Sequence, residues 1–205
     1  MTFISRTLGS ICDEIRGTIR TGPFGSQLHE SDYQGVGTPV VMPKNIVDGK
    51  VSTDDIARIG DEDTHRLSQH KLRYGDIVYG RRGDIGRRAL ITEREEGWLC
   101  RTGCLRISLG SKILHPKFLY YYLGHPQVVA WITNQAIGAT LPNLNTTIIR
   151  SIQINYPQLS TQHKIAAILS AYDDLIENNT RRIAILEEIA QSIYQEWLYL
   201  LNNSG

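Results

Sequence analysis

Thr161–Leu201 reads TQHKIAAILSAYDDLIENNTRRIAILEEIAQSIYQEWLYLL and contains neither proline nor glycine. Its apolar residues alternate at spacings of three and four, the mark of a coiled-coil seam. With Leu169, Ile176, Ile183, Ala190 and Trp197 at position a, position d falls on Tyr172, Asn179, Leu186, Ile193 and Leu200. Asn179 alone among these is polar; a polar seam residue either fixes the register or marks a hydrated middle. A helix of roughly 40 residues is about 60 Å long, far beyond the usual length of about 11–12 residues. It either pairs outside its own globular domain or lies along its own core, and the sustained heptads favour the first.

The 205 residues are 41% apolar and 21% charged, with a net charge of +1. That is enough chain for one real core, and it excludes a polycation or an acidic tail. The charge is unevenly placed. Residues 81–106 hold seven arginines against four acids, whereas residues 161–201 hold three bases against six acids. A polyanion would meet the first region and a protein partner the second. Cys12, Cys100 and Cys104 form no even-numbered disulfide framework and point to a reducing compartment. The N-terminal MTFISRTLGSICDEI lacks a long apolar core, and no run approaches the ~18–20 apolar residues of a membrane span. The expected location is the cytoplasm, where the Asn-x-Thr triplets at Asn145 and Asn178 carry no glycan.

Ahead of the helix, short apolar runs alternate with turn chemistry. Residues 8–19 fit a short helix or a strand entry. Thr38–Met42 predicts a strand and Asp48-Gly49 a hairpin turn. Residues 52–70 are polar, irregular or briefly helical. Asp76–Tyr79, Ala89–Thr92 and Trp98–Ser108 read as strands, the last interrupted by Gly103. Pro116 opens a helix that Gly124 ends, Gln127–Gln135 is a second, and Ala136–Leu144 is a loop. Ile148–Tyr156 alternates as a final strand, Pro157 stops it, and Ser160 or Thr161 caps the long helix. The predicted fold class is α+β: a mixed, β-rich globular domain over residues 1–157, then a long coiled-coil-forming helical arm over 158–205.

The loop GRRGDIGRR, Gly80–Arg88, sets four arginines among glycines. Glycine lets backbone approach a ligand, and the planar arginine fork suits phosphate and the guanine edge. The chain lacks GxxxxGK[ST], so this is not a Walker loop. A solvated basic hairpin loop is the plain alternative. Three polar loops accompany it: Thr21–Gln27, Pro43–Asn45 and Gly138–Asn145. Asparagine and glutamine pair with adenine, serine and threonine reach base or phosphate, and Lys44 suits phosphate. Asn, Gly and Pro are also ordinary loop formers, so the significance of these loops depends on their meeting in space. Cys100 and Cys104 lack further metal ligands at workable spacing and read as small buried thiols. No catalytic motif is visible: there is no G-x-S-x-G, no H-E-x-x-H and no Asn/Asp-Pro-Pro-aromatic sequence. Asp76 and Asp84 read as turn acids.

In order and spacing, several runs resemble the DNA-specificity (S) subunit of type I restriction–modification systems. They are TGPFGSQLHESDY (Thr21–Tyr33), VVMPKNIVDGK (Val40–Lys50), GDIVYGRRGDIGRRALIT (Gly75–Thr92), WLCRTGCLRI (Trp98–Ile107), FLYYYL (Phe118–Leu123), GATLPNLNT (Gly138–Thr146) and PQLSTQHKIAAIL leading into the helix. Where such proteins commonly carry glycine, this chain has Arg101, either a specificity residue or a tolerated surface change. The resemblance implies a non-catalytic chain of one target-recognition domain and one conserved helix. It implies binding to double-stranded DNA and to methyltransferase (M) subunits, which carry the S-adenosylmethionine, and association with the restriction (R) subunit through the complex. The chain itself is then expected to need no cofactor and no metal. A full S subunit is similar to two tandem copies whose helices pair antiparallel. One copy implies a homodimer or pairing with another S chain, and an inverted, bipartite site. The expected DNA contacts are Phe24, Gly25, Ser26, Gln27, Lys44, Asn45, Arg81, Arg82, Arg87, Arg88, Arg101, Thr102, Thr140, Asn143 and Asn145, with Arg81, Arg82, Arg87 and Arg88 foremost. The competing readings are a coiled-coil adaptor with no DNA role and a DNA-modifying enzyme with an unrecognised site.

Overall fold

The computed structural model describes residues 2–81, 85–110, 112–136 and 144–202. It has the expected α+β character, with short strands and helices followed by one long C-terminal helix. Two compact units are distinguished, residues 1–163 and 164–205.

The first unit is built on two four-stranded sheets. One holds, in spatial order, β10 (Leu99–Cys100), β4 (Thr38–Val41), β7 (Ala57–Ile59) and β3 (Tyr33–Gln34). The other holds β2 (Thr18–Thr21), β11 (Cys104–Ser108), β8 (Ile77–Gly80) and β9 (Arg88–Leu90). β10 pairs with β4 in parallel; the pairings within the second sheet are antiparallel. Side chains alternate across a strand, so the neighbours Val40 and Val41 serve two cores. Val40 joins Leu28, Ile59, Leu67 and Leu99. Val41 joins Val78, Ala89, Cys100 and Cys104. The first sheet is therefore covered on both faces, which explains why β4 reads as a short apolar run. The hairpin of β5 (Ile46–Val47) and β6 (Lys50–Val51) turns at Asp48 and Gly49, both at positive φ, as the Asp-Gly signal predicts.

Burial pushes the Cys100 thiol up to about 12 and raises that of Cys104 well above its ordinary value. Only the thiolate alkylates readily. Treatment of the folded chain with iodoacetamide near pH 8 is therefore expected to spare both cysteines, and treatment in denaturant to modify both, as read by peptide mass.

Besides β7, a strand within residues 52–70 that read as irregular or briefly helical, the chain differs from the sequence reading in three places. Ile148–Ser151 is helix, not strand: α5 (Thr146–Ser151) is capped by Asn145, whose Oδ1 accepts from Ile148 N at 2.9 Å. Ile149 and Ile152 are buried, a helical spacing that was masked by alternation further on. The strand is only β12 (Gln153–Tyr156), and it pairs with β1 (Ile4–Thr7), which has no local signal of its own. The long helix, α6 (Leu159–Asn202), begins early enough that Ser160 and Thr161 lie inside its first turn and do not cap it. That turn belongs to the first unit, and Gln162 in it is fully buried. Its Oε1 accepts from His115 N at 2.9 Å, and its Nε2 donates to Ile113 O and Pro157 O at 3.0 and 2.9 Å.

In the second unit, α6 exposes its seam. Tyr172, Ile176, Ile183, Leu186, Ile193 and Trp197 are each more than half exposed, and Leu169, Asn179 and Ala190 are also exposed. The side chain of Leu200 lies outside the described residues. No helix among the described residues is long and apolar enough to cross a membrane.

Candidate nucleic-acid interface

Strand register decides which loops meet. Leu105 of β11 lies opposite Thr21, and Cys104 opposite Gly80, so β2 and β8 end where β11 begins. In the other sheet Cys100 lies beside Val41, so β4 and β10 end together. β10 and β11 belong to different sheets and are joined by Arg101–Gly103 alone. The segments leaving β2, β4, β8 and β10 therefore emerge at the junction of the two sheets.

Contacts at that junction are close. Gly22 donates its N–H to Cys104 O at 3.4 Å, and a Cβ on Gly22 would lie 2.2 Å from Cys100 O, so only glycine fits. A Cβ on Gly103 would come within 2.9 Å of the Pro43 ring. Arg81 knits three segments together. Its N–H donates to Gly103 O at 2.9 Å, its Nε to Leu144 O at 2.7 Å and its Nη1 to Thr102 O at 3.1 Å. Leu144 returns its N–H to Arg81 O at 3.0 Å. Arg101 donates from Nε to Tyr33 Oη at 2.8 Å and from Nη1 to Pro23 O at 3.5 Å. The described parts of the loops that the sequence singled out separately, Leu144 for the last of them, thus converge around Arg101–Gly103.

The expected contact residues separate by what their side chains touch. Asn45 is buried; its Oδ1 accepts from Met42 N at 3.1 Å and closes the turn Pro43–Asn45. Arg81 is buried against backbone carbonyls, which are neutral acceptors that a guanidinium satisfies well. Arg88 donates from Nε to Tyr120 O at 2.7 Å, and its guanidinium carbon lies 4.7 Å from the centre of the Tyr120 ring in α3 (Pro116–Leu123). Asn145 caps α5. These four side chains also hold the framework of the site, a use of them that the sequence did not show. Thr102 is half-buried, with its hydroxyl shielded from solvent. Phe24, Gly25, Ser26, Gln27, Lys44 and Arg87 are exposed. Arg82, Thr140 and Asn143 lie outside the described residues.

Tyr33 escaped the sequence reading. It meets Arg101 across 68 positions of chain, and no local pattern marks such a pair. Gly22 and Gly103 were visible only as loop glycines. The arrangement presents a cationic, hydrogen-bonding rim on a framework of glycines and internal arginine bonds. That suits an extended anionic surface better than a small ligand.

The family described as the type I restriction modification DNA specificity domain matches residues 6–188. The specificity subunit of the type I restriction enzyme MjaIX of Methanocaldococcus jannaschii is 35% identical over 81 residues, or 40% of this chain and 19% of that one. The HindI specificity subunit of Haemophilus influenzae is 28% identical over 129 residues, or 62% and 28% of the two chains. Among solved structures, the S subunit from M. genitalium superposes with a TM-score of 0.59 at 19% identity, covering 98% of this chain and 46% of that one. The HsdS subunit from Thermoanaerobacter tengcongensis gives 0.62 at 18% identity, covering 87% and 44%. These likenesses carry the fold. This chain spans less than half the length of each of these relatives.

Proposed function

The chain belongs to the type I restriction modification DNA specificity family, and from that premise we propose that it is the sequence-reading, non-catalytic component of such a system. One chain reads one short half-site of double-stranded DNA. The exposed Phe24–Gln27 loop, Lys44 and Arg87 face the duplex, with Arg101 set behind them; Arg82, Thr140 and Asn143, which lie outside the described residues, remain expected contacts. Two chains pair through α6 to set two readers on a bipartite, inverted site. The paired arms hold methyltransferase subunits, which bring the S-adenosylmethionine, and through them the restriction subunit; all of this takes place in the cytoplasm.

The observation that carries this reading is the convergence of the loops after β2, β4, β8 and β10 on Arg101–Gly103. Loops that meet on a rigid scaffold form a surface, and this surface combines cations with side chains that pair with bases. The exposed stripe of α6 supports the pairing. Ile168, Leu175 and Ile189 at position g are also about half exposed or more, which widens the stripe beyond a two-helix seam and leaves room for a second partner.

Selection of binding sites from random duplexes, with and without methyltransferase subunits, tests the proposal. The expected consensus is two copies of one short sequence in inverted orientation around an unread spacer. Binding without sequence preference in both arms would overturn it.

A further inference from the structure

Among the described residues of the converging loops, Phe24 is the large apolar side chain left in water, at 59% exposure. The loop holds the backbone that carries the ring. Phe24 N donates to Gln27 Oε1 at 3.2 Å, and Phe24 O accepts from Gln27 N at 2.8 Å and from Leu28 N at 3.2 Å. On one side Leu28 is fully buried, and on the other Pro23 is buried with its carbonyl accepting from Arg101. Arg101 is fixed in turn by the Tyr33 hydroxyl, and its guanidinium carbon lies 5.9 Å from the centre of the Tyr33 ring. A Cβ on Gly25 would meet nothing within 4 Å, so the tip of the loop stands clear of the rest of the unit. The fold thus anchors the backbone of Phe24 and leaves its ring in water beside the exposed Ser26 and Gln27.

We propose that Phe24 is a specificity-determining residue that packs on the C5-methyl group of a thymine in the major groove, and that Arg101 is a positioning residue that sets the ring through Pro23 and Tyr33. The inference rests on the DNA-reading function above. A phenyl ring has no hydrogen bond to offer a base edge, and the thymine methyl is the one apolar group displayed there. The neighbouring hydroxyl and amide match the remaining features of an A·T edge, which offers acceptors and one donor beside that methyl. Arg101 already donates to two oxygens of its own chain, Pro23 O in the loop bearing Phe24 and the Tyr33 hydroxyl in β3 that anchors the guanidinium. It therefore acts on the DNA through that ring.

The test uses the duplex recovered by site selection and replaces each thymine in turn by deoxyuridine, which removes the methyl alone. With the wild-type chain, one thymine per half-site is expected to show about fourfold weaker binding on replacement, the value of one buried methyl. Phe24→Ala is expected to bind the thymine duplex more weakly and to show no difference between the two duplexes. Arg101→Ala is expected to bring the thymine-to-uridine ratio toward one, whereas simple loss of stability would weaken both duplexes equally. If every replacement is tolerated, or Phe24→Ala keeps the uridine penalty, the methyl contact is overturned. An undiminished ratio in Arg101→Ala overturns the positioning role. A consensus without an A·T pair overturns the contact alone. A selection without any consensus overturns the function beneath it. The uridine series on the wild-type chain decides the contact even if a variant fails to fold.

Discussion

Arg106→Ala is expected to destabilise the folded chain by about 3–5 kcal/mol, the usual cost of breaking a buried ion pair by removing one partner. Arg106 lies in β11 between Arg20 of β2 and Val78 of β8. Its side chain and that of Asp76 are both buried, with Nε 3.8 Å from Asp76 Oδ2 and Nη1 donating to Lys71 O. Asp76 Oδ2 also accepts from Arg73 N at 3.0 Å. Burial raises the Asp76 carboxyl above its ordinary value, while hydrogen bonds from Ser108 and Arg73 and the charge of Arg106 pull it back. A carboxyl raised in the folded state holds its proton more tightly there than in the unfolded chain. Its contribution to stability is fullest below the ordinary carboxylate range and is lost as pH rises through the folded value. Alanine at 106 removes one of the opposing influences and widens that loss. The deficit against wild type, read by urea unfolding, should be full at neutral pH and shrink at acid pH, once the raised carboxyl has become neutral. Replacing the pair together, Arg106→Met with Asp76→Leu, should recover most of the loss. A deficit that is equal at both pH values would show that packing, not the stranded carboxylate, sets the cost.

How far the molecule could be read from its residues depended on the range of the interactions involved. The long helix was legible because its seam faces water in the single chain. Nothing in the rest of the chain distorts the three-and-four spacing, and only the start was misplaced. The Asp48-Gly49 hairpin and the helix that Gly124 closes were legible because their signals are local. β1 and β7 were not, since a strand of three or four residues holds too few positions to show alternation. Their partners are also remote: Ile4 meets Tyr156. The loops at the sheet junction were legible as loops and as chemistry, but the division of labour among them was not. Arginine and asparagine look alike in sequence whether they face a phosphate or their own backbone. Burial separates Arg81 and Asn45 from Lys44, and burial is a property of the assembled sheets. The same holds for Arg101. The departure from glycine was visible, but its consequence, a link from Tyr33 to the Phe24 loop, exists only once β3 and β10 share a sheet.

Aspartate at both Ile183 and Leu186 is expected to weaken self-association by about ten-thousand-fold or more while leaving the single chain folded. The two positions are adjacent a and d sites of α6, at 57% and 63% exposure in the chain alone. Nothing in the isolated chain is lost by making them polar. In a symmetric pair each substitution counts twice, so four aliphatic side chains lose their burial. At roughly 1.5 kcal/mol each, the low end for an aliphatic residue, the loss is about 6 kcal/mol, or about four decades in dissociation constant. Repulsion among four carboxylates in a seam adds to it. Glu188→Lys, at the outer position f two residues beyond Leu186, is the control and should leave association unchanged. Sedimentation equilibrium reads both variants directly. DNA provides an independent reading. The aspartate variant should still bind a single half-site through its loops but lose the dependence on spacer length that two linked readers impose. A wild-type chain that stays monomeric at micromolar concentration overturns self-pairing. The apolar stripe of α6 would then belong to another specificity chain or to a methyltransferase subunit, and the same two aspartates should abolish that association instead.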